Sequence, residues 1–308
     1  MSTEIGTTPD DPELEARRAV VAPEHEEDRE VEWKAERHVY EPHRVGLPPL
    51  VPYARELWRR REFAFELSRT TLRAQHFETA FGKLWLVLNP MLLAFVYFVL
   101  VDILRHGHRP HGYFAHLVAG IFLYYFFSGA VRESVKSVVG GGRLVLNTAF
   151  PRTLLPLSTV ITAFWRCIPT FIIYIPIHLI SGLPVNLATL WIIPIVLIIA
   201  FIAAGLAMFV AALQVYFRDV KSFMPYVLRL WLYASPVLWY PNEVPNHWEW
   251  ILKANPIGGP MAAWSVVLQK GHAAPPVDML TGLAWAVALF TCGALFFMSR
   301  EREFAVRL

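Results

Sequence analysis

Five ionisable side chains sit inside long apolar runs: Asp102, Arg132, Glu133, Arg166 and Arg229. A charge at the bilayer centre costs about 2.5–3.5 kcal/mol on insertion scales, so such groups are functional suspects. Asp102 lies near the end of its run, within reach of the interface. Arg132 and Glu133 fall near the inner headgroups, and Arg166 and Arg229 lie deeper. A guanidinium facing an internal path can hold an anionic lipid phosphate through paired N–H bonds. The alternative is a structural bond to another helix's carbonyls, and the sequence leaves both open. The five do not form a chain of intramembrane carboxylates, which argues against a proton-coupled carrier.

Motifs for reaction chemistry are missing. The sequence contains no G-x-x-x-x-G-K-[ST], so it has no P-loop of its own, and neither G-x-S-x-G nor H-E-x-x-H occurs. The Gly140-Gly141-Gly142 run lacks a following Lys-Ser/Thr and reads as a helix stop. Acidic residues expected on the outer side are sparse (Glu243, Glu249 and Asp278), whereas a lipid-linked glycosyltransferase would show paired carboxylates there. The stretch "RHGHRPHG" has three spaced His but no carboxylate or Cys beside them, so it reads as a surface loop and no metal site is expected. Cys167 and Cys292, both in apolar runs, read as buried small hydrophobes.

The elements that position these groups are membrane helices. Hydrophobic residues make up 55% of 308 and charged residues 17%, and mean hydropathy is +0.40. A soluble domain of this size needs more polar surface. Six runs, near 84–104, 113–138, 155–180, 189–215, 223–240 and 279–298, approach the ~20 residues that cross a ~30 Å hydrocarbon core. Helices are required because lipid offers no partner for backbone N–H and C=O groups. Pro90, Pro169, Pro176 and Pro194 fall within these runs and are expected to kink them.

Residues 1–52 hold 13 Asp/Glu against 6 Lys/Arg and read as an acidic, disordered tail with no cleavable signal peptide. The overall +3 is therefore no nucleic-acid signal; the basic residues cluster beside the apolar runs. In residues 53–75, Leu57, Trp58, Phe63, Phe65 and Leu67 alternate with Arg55, Arg59, Arg60, Arg61 and Arg69, which fits an amphipathic helix lying at a membrane surface. Arg69, Arg73, Lys83, Lys136, Arg143, Arg152, Arg218, Lys221, Arg300, Arg302 and Arg307 flank one set of span ends. By the positive-inside rule that set is cytoplasmic, with both termini.

The stretch "NPIGGPMAAWSVVLQKGHAAPPVD" (255–278) is too broken by Pro and Gly to span a bilayer and too apolar for a solvated loop. Several pieces then fall in one order: "AFGKLWLVLNPML" (80–92), "AFPRTLLPLS" (149–158), "YFRDVKSFMPYVLRLWLYASPVLW" (216–239) and "ANPIGGPMAAW" (254–264). Across residues 55–300 the chain resembles the membrane subunit of ABC-2 type exporters that move cell-surface polysaccharides, including O-antigen, teichoic acid and galactan exporters. "RTTLRAQHFETAFG" departs from the family's more basic run before the first span, and the long acidic tail is not general to it.

The resemblance implies an all-α integral membrane protein: six transmembrane helices over 84–298, an N-terminal amphipathic interface helix (53–75), a re-entrant outer hairpin (243–270) before the last span and a cytoplasmic C-terminus (299–308). "VPNHWEWILKA" would form the hairpin's first short helix and "PMAAWSVVLQK" its second, with a break at Pro256, Gly258, Gly259 and Pro260. Trp248, Trp250, Pro256, Gly258, Gly259 and Trp264 would belong to an outer gate; the plainer alternative is a loop lying on the outer headgroups. Arg143, Phe150, Pro151 and Arg152, beside Arg59 and Arg60, would couple to an ATPase. Arg166, Arg229, Tyr97, Tyr125 and Tyr233 would line a conduit or meet a pyrophosphate.

The partners implied are two copies of a separate ATPase carrying ATP and Mg, a second copy of this chain, a lipid-linked glycan and membrane lipids. This chain itself would bind no cofactor and catalyse no reaction. The location implied is the cytoplasmic (inner or plasma) membrane. Export of a small hydrophobic drug or lipid, or a membrane-embedded cell-envelope glycan enzyme, are the alternatives.

Overall fold

In a computed structural model, residues 47–75, 82–108 and 110–308 are described, without the side chains of Gln75, Lys83, Arg143, Asn147 and Asn246. The expected tail up to residue 46, and Arg109, lie outside the described residues. Every regular element among the described residues is helical. Five helices are long and apolar enough to cross a membrane, which makes this a multi-pass membrane protein.

The amphipathic segment forms two helices, α1 (Leu50–Arg59) and α2 (Arg61–Gln75), separated at Arg60. It begins three residues earlier than its sequence pattern suggests. α1 buries no residue, whereas α2 buries Ala64 and Ser68, Ser68 accepting from Thr162 Oγ1 at 3.0 Å. The first three spans are α3 (Trp85–Leu104), α4 (Tyr113–Ser134) and, after two short helices α5 (Ser137–Gly140) and α6 (Gly142–Asn147), α7 (Leu154–Ile180). The triple glycine thus ends one helix and starts another. A short 3-10 turn leads into α8 (Ile192–Tyr216). At ~1.5 Å per residue the 20 residues of α3 give the ~30 Å a bilayer core requires.

α4 is the hub, buried along most of its length, with Arg132 exposed near its end. α3 and the last span, α12 (Pro276–Arg300), are peripheral. Leu92, Phe95, Val96 and Ile103 of α3, and Leu280, Leu283 and Val287 of α12, are exposed. Apolar outer faces are what a helix in lipid presents. Helix association there depends on close packing, and α8 and α12 achieve it through Gly205 and Gly293. A Cβ on Gly293 would collide with the Gly205 backbone, and one on Gly205 with the Leu289 carbonyl. Only Gly282, Ala286, Gly293 and Phe297 of α12 are buried. Cys292 is therefore exposed on the outer face of α12, unlike Cys167, which is buried.

The run 223–240 is not one long helix. α9 (Val220–Tyr233) has 14 residues, ~21 Å at the usual rise, and turns follow it. Ser235, Pro236 and Val237 in those turns are buried by protein, the condition under which irregular backbone is tolerated at membrane depth. The α8–α9 reversal is held by Gln214, whose Oε1 accepts from Lys221 N (2.8 Å) and whose Nε2 donates to the Arg218 carbonyl (3.0 Å). Beyond the turns come α10 (Glu249–Ala254), α11 (Gly258–Lys270) and α12.

The contacts sort into two ends. At one, Tyr53 reaches Thr153 and Glu301, and Arg218 donates to the Arg307 carbonyl. At the other, Arg105 pairs with Glu243, Tyr113 donates to the Leu238 carbonyl and Asn186 donates to the Gly271 carbonyl. α8 and α12 run in the same direction, so the intervening chain returns from the first end to the second.

Candidate conduit, coupling surface and outer hairpin

At the end that carries the C-terminus, the loop before α7 is clamped from two sides. Arg60 pairs with Glu56 and donates to the Ala149 carbonyl at 2.6 Å. Phe63 packs on Phe150, ring centroids 5.0 Å apart. From the other side Glu301, 9% exposed, accepts from the Arg152 backbone N–H and from the Tyr53 hydroxyl, each at 2.5 Å. The Arg152 guanidinium donates to the Glu301 carbonyl. Burial and the neighbouring Glu301 carboxylate push the Tyr53 phenol well above its ordinary value near 10.

Of the residues singled out for coupling, Pro151 is buried and Arg152 is turned inward, while Arg59 is outward, 73% exposed and paired with Glu56 at 2.7 Å. The Arg143 side chain lies outside the described residues. Leu146, an apolar side chain 57% exposed on α6, is the residue that residue-type reasoning passed over. Glu301 and Tyr53 were also missed, since neither carries a local signal.

Within the spans, Arg166 on α7 meets Glu133 on α4 at 3.7 Å. Both flank open space. One cleft of about 350 Å³ is lined by Trp85, Asn89, Tyr125, Arg132 and Arg166. A second, about 640 Å³, is lined by Thr71, Glu133, Lys136, Thr159 and again Arg166. Arg229 is elsewhere, exposed on α9. Tyr97 and Tyr233 join each other, hydroxyls 3.2 Å apart and rings edge to face at 6.1 Å, tying α3 to the end of α9. The five expected conduit residues thus divide between the Arg166 clefts, holding Tyr125, and the α9 region, holding Arg229, Tyr97 and Tyr233.

In segment 243–270, Trp248 and Trp250 are exposed, with rings 6.3 Å apart. Pro256 is half-buried. Gly258 and Gly259 do not interrupt the second helix; they are its first turn, where α11 presses on neighbouring backbone. A Cβ on Gly259 would come within 2.7 Å of the Asp278 carbonyl, and one on Gly258 would strike the Leu252 carbonyl. Pro260 is tolerated because first-turn N–H groups have no intrahelical acceptor. Trp264 is buried against Phe171, ring centroids 5.7 Å apart, within the core.

Asn255 locks the segment. Its Oδ1 accepts from Trp231 Nε1 (2.8 Å) and Ile257 N (3.1 Å). Its Nδ2 donates to the Ala234 carbonyl (3.1 Å) and Ser235 Oγ (3.0 Å). The sequence showed an Asn-Pro pair there but not these four partners. Outside the spans, the Arg105 guanidinium donates to both Glu243 oxygens at 2.7 and 2.6 Å. These hydrogen bonds hold the Glu243 carboxyl below the usual carboxylate range. Among the described residues, no three His, Cys, Asp or Glu side chains gather where they could hold a metal ion.

The described residues form a multi-helix membrane domain with short flanking helices. The family model described as ABC-2 type transporter matches residues 64–267, and the chain belongs to that family. The chain is 27% identical over 263 residues to the O-antigen export system permease protein RfbA of Myxococcus xanthus, covering 83% of this chain and 99% of that protein. It is 26% identical over 206 residues to the O-antigen export system permease protein RfbA of Klebsiella pneumoniae, covering 67% of this chain and 79% of that protein.

Proposed function

We propose that the chain is the permease subunit of an ATP-driven exporter that moves a polyprenyl-pyrophosphate-linked cell-surface polysaccharide across the cytoplasmic membrane. The observation that carries this is the near-complete coverage of a relative named as an O-antigen export permease, within an ABC-2 type match. Six crossings fit the parallel course of α8 and α12: α9 and the protein-buried turns after it supply the fifth, and both termini are cytoplasmic. Segment 243–270 is the re-entrant outer hairpin, with Trp248 and Trp250 at its outer rim. The absence of a P-loop from the sequence supports a separate ATPase that binds ATP and Mg.

Two ATPase copies meet a C₂ homodimer of this chain. The docking surface is the α6 region with Arg143, Leu146 and Phe150, braced by α1 through Arg59 and Arg60. Arg152 and Pro151 act from beneath, holding that loop in shape. The exposed face of α9, with Tyr226, Arg229 and Tyr233, and the outer face of α3 line the path between protomers. The test is purification from native membranes in mild detergent, with mass spectrometry of co-eluting material. An equimolar subunit bearing G-x-x-x-x-G-K-[ST] and a lipid-linked glycan are expected. Recovery of the chain with no ATPase, even after crosslinking at Leu146, would overturn the reading.

A further inference from the structure

A separate cleft of about 580 Å³ opens where α2 meets α3 and α7. Its volume falls in the ~300–1,000 Å³ range of small-molecule sites. Phe65 of α2, Leu86 of α3, and Trp165 and Pro169 of α7 form apolar walls, and Glu66, Arg69 and Arg73 of α2 add charge. Residues four apart share a helix face, so Phe65, Arg69 and Arg73 form one line along α2. Neither arginine lines the clefts that hold Arg166.

The cleft lies at a bilayer boundary. α3 has the 20 residues that cross the hydrocarbon core, so its first residues, Trp85 and Leu86, mark the edge at the end that carries the C-terminus. Trp85 and Trp165 are both exposed, and Trp is enriched where a membrane meets water. From that level α7 runs toward the opposite end. Trp165, Pro169, Ile172 and Ile173 recur along it at helical spacing, and both isoleucines are exposed. The stripe carries the apolar floor of the cleft onward into the hydrocarbon.

The charges are unequal. Arg69 is 3.6 Å from Glu66, and both side chains are largely exposed. Arg73 is exposed and forms no salt bridge with a described carboxylate. The described lining residues therefore carry one positive charge in excess, which one phosphodiester would neutralise.

We propose that this cleft seats a resident anionic phospholipid, its phosphate on Arg69 and Arg73 and one acyl chain along Leu86, Trp165 and the stripe beyond. The occupant is a component of the bilayer and not the exported cargo. The inference thus goes beyond the export reading and requires only the membrane course of α3 and α7. A guanidinium offers the paired donors that a phosphate accepts, and basic pockets beside membrane helices recognise anionic headgroups. A zwitterionic headgroup brings its own cation and leaves the excess charge uncompensated. A lipid so placed ties α2 to the first and third spans.

The test is the thermal midpoint of the full chain in detergent, because a ligand of the native state raises it as the site fills. The probes are dioctanoyl phosphatidylglycerol, dioctanoyl phosphatidylcholine and glycerol 3-phosphate. Phosphatidylglycerol should act at a lower concentration than phosphatidylcholine, and glycerol 3-phosphate should have no effect. Arg69→Gln and Arg73→Gln should each raise the phosphatidylglycerol concentration required by roughly 5-fold or more, the scale for an arginine at an anionic lipid surface. Arg55→Gln makes the same charge change on α1, outside the cleft lining, and should leave it unchanged. Glu66→Gln should lower it, an effect that misfolding does not produce.

A wild-type response in both Arg69→Gln and Arg73→Gln overturns the seat. So does an equal loss in Arg55→Gln, because the attraction would then be spread along the basic surface. Equal potency of phosphatidylcholine refutes the charge selection, and an equal effect of glycerol 3-phosphate refutes the acyl track; either overturns the proposal. Failure to recover an ATPase refutes the export reading and leaves the lipid seat standing.

Discussion

Replacing Glu301 with Ala should release α1 without melting the bundle. Glu301 accepts from the Tyr53 hydroxyl and the Arg152 N–H at 2.5 Å each. A hydrogen bond to a charged group is worth about 1.5–3 kcal/mol. Removing one side of a buried charged arrangement costs about 3–5 kcal/mol, which sets the scale for losing both. α1 buries no residue of its own, so its attachment depends on Tyr53, on Arg60 at the Ala149 carbonyl and on the Phe63–Phe150 contact. The loss therefore appears as local opening. At 1.4 kcal/mol per decade, amide exchange over Leu50–Arg59 should accelerate roughly 10²–10³-fold, capped by the rate of the unprotected chain.

Glu301→Gln retains an acceptor oxygen and should produce a smaller acceleration, since an ionised acceptor bonds about twice as strongly as a neutral one. Tyr53→Phe should fall between wild type and Glu301→Ala, and the two changes should not add because they remove a shared bond. The phenol adds a pH signature. Its folded pKa is raised, so its contribution is fully present below its ordinary value near 10 and is lost as pH rises through the folded value. Hydrogen–deuterium exchange of the Leu50–Arg59 peptide in detergent is the measurement. Unchanged exchange in Glu301→Ala would refute the reasoning, because it would mean that this cluster does not hold α1.

Gly293→Ala should lower the thermal midpoint by an amount equivalent to about 1–3 kcal/mol, because the new methyl meets the Gly205 backbone where α8 and α12 cross. Gly129→Ala, with open space around its Cβ position, is the matched control and should leave the midpoint unchanged. Asn255→Ala strands Trp231 Nε1 and Ile257 N, and at about 1–3 kcal/mol per stranded group it should expose segment 241–254 to protease while α8 stays protected. At the opposite end, the folded Glu243 carboxyl titrates below its ordinary range because Arg105 donates to it. Its contribution is present above that range and lost as pH falls through the depressed value. Arg105→Gln should therefore remove part of the acid sensitivity of the thermal midpoint between pH 5 and pH 3.

What was legible in the sequence is what hydropathy summed over contiguous residues encodes. α3, α4, α7, α8 and α12 begin and end within a few residues of their apolar runs, because a backbone in lipid must satisfy its own hydrogen bonds wherever the side chains are apolar for long enough. The membrane class and the helical course of residues 53–75 follow from the same local signals. The fifth run misled in its form. Apolar composition continues through Ser235-Pro236 to Trp239, but the helix stops at Tyr233, since surrounding protein covers the irregular backbone.

The site was only partly visible for a related reason. The resemblance implied ATPase coupling for Arg152, yet the direction of its side chain is set by Glu301, 149 residues away. Tyr53 meets that same carboxylate across 248 residues. Trp264, which the resemblance implied for an outer gate, lies in the core because α11 is enclosed by α4, α8 and α12. Asn255 found its four partners only when α11 was set against the turn after α9. The sequence by itself determined which segments enter the membrane, because that depends on each segment's own solvation. Which side chains face one another was decided by the tertiary structure, because it depends on how independently stable helices rotate and cross when they pack.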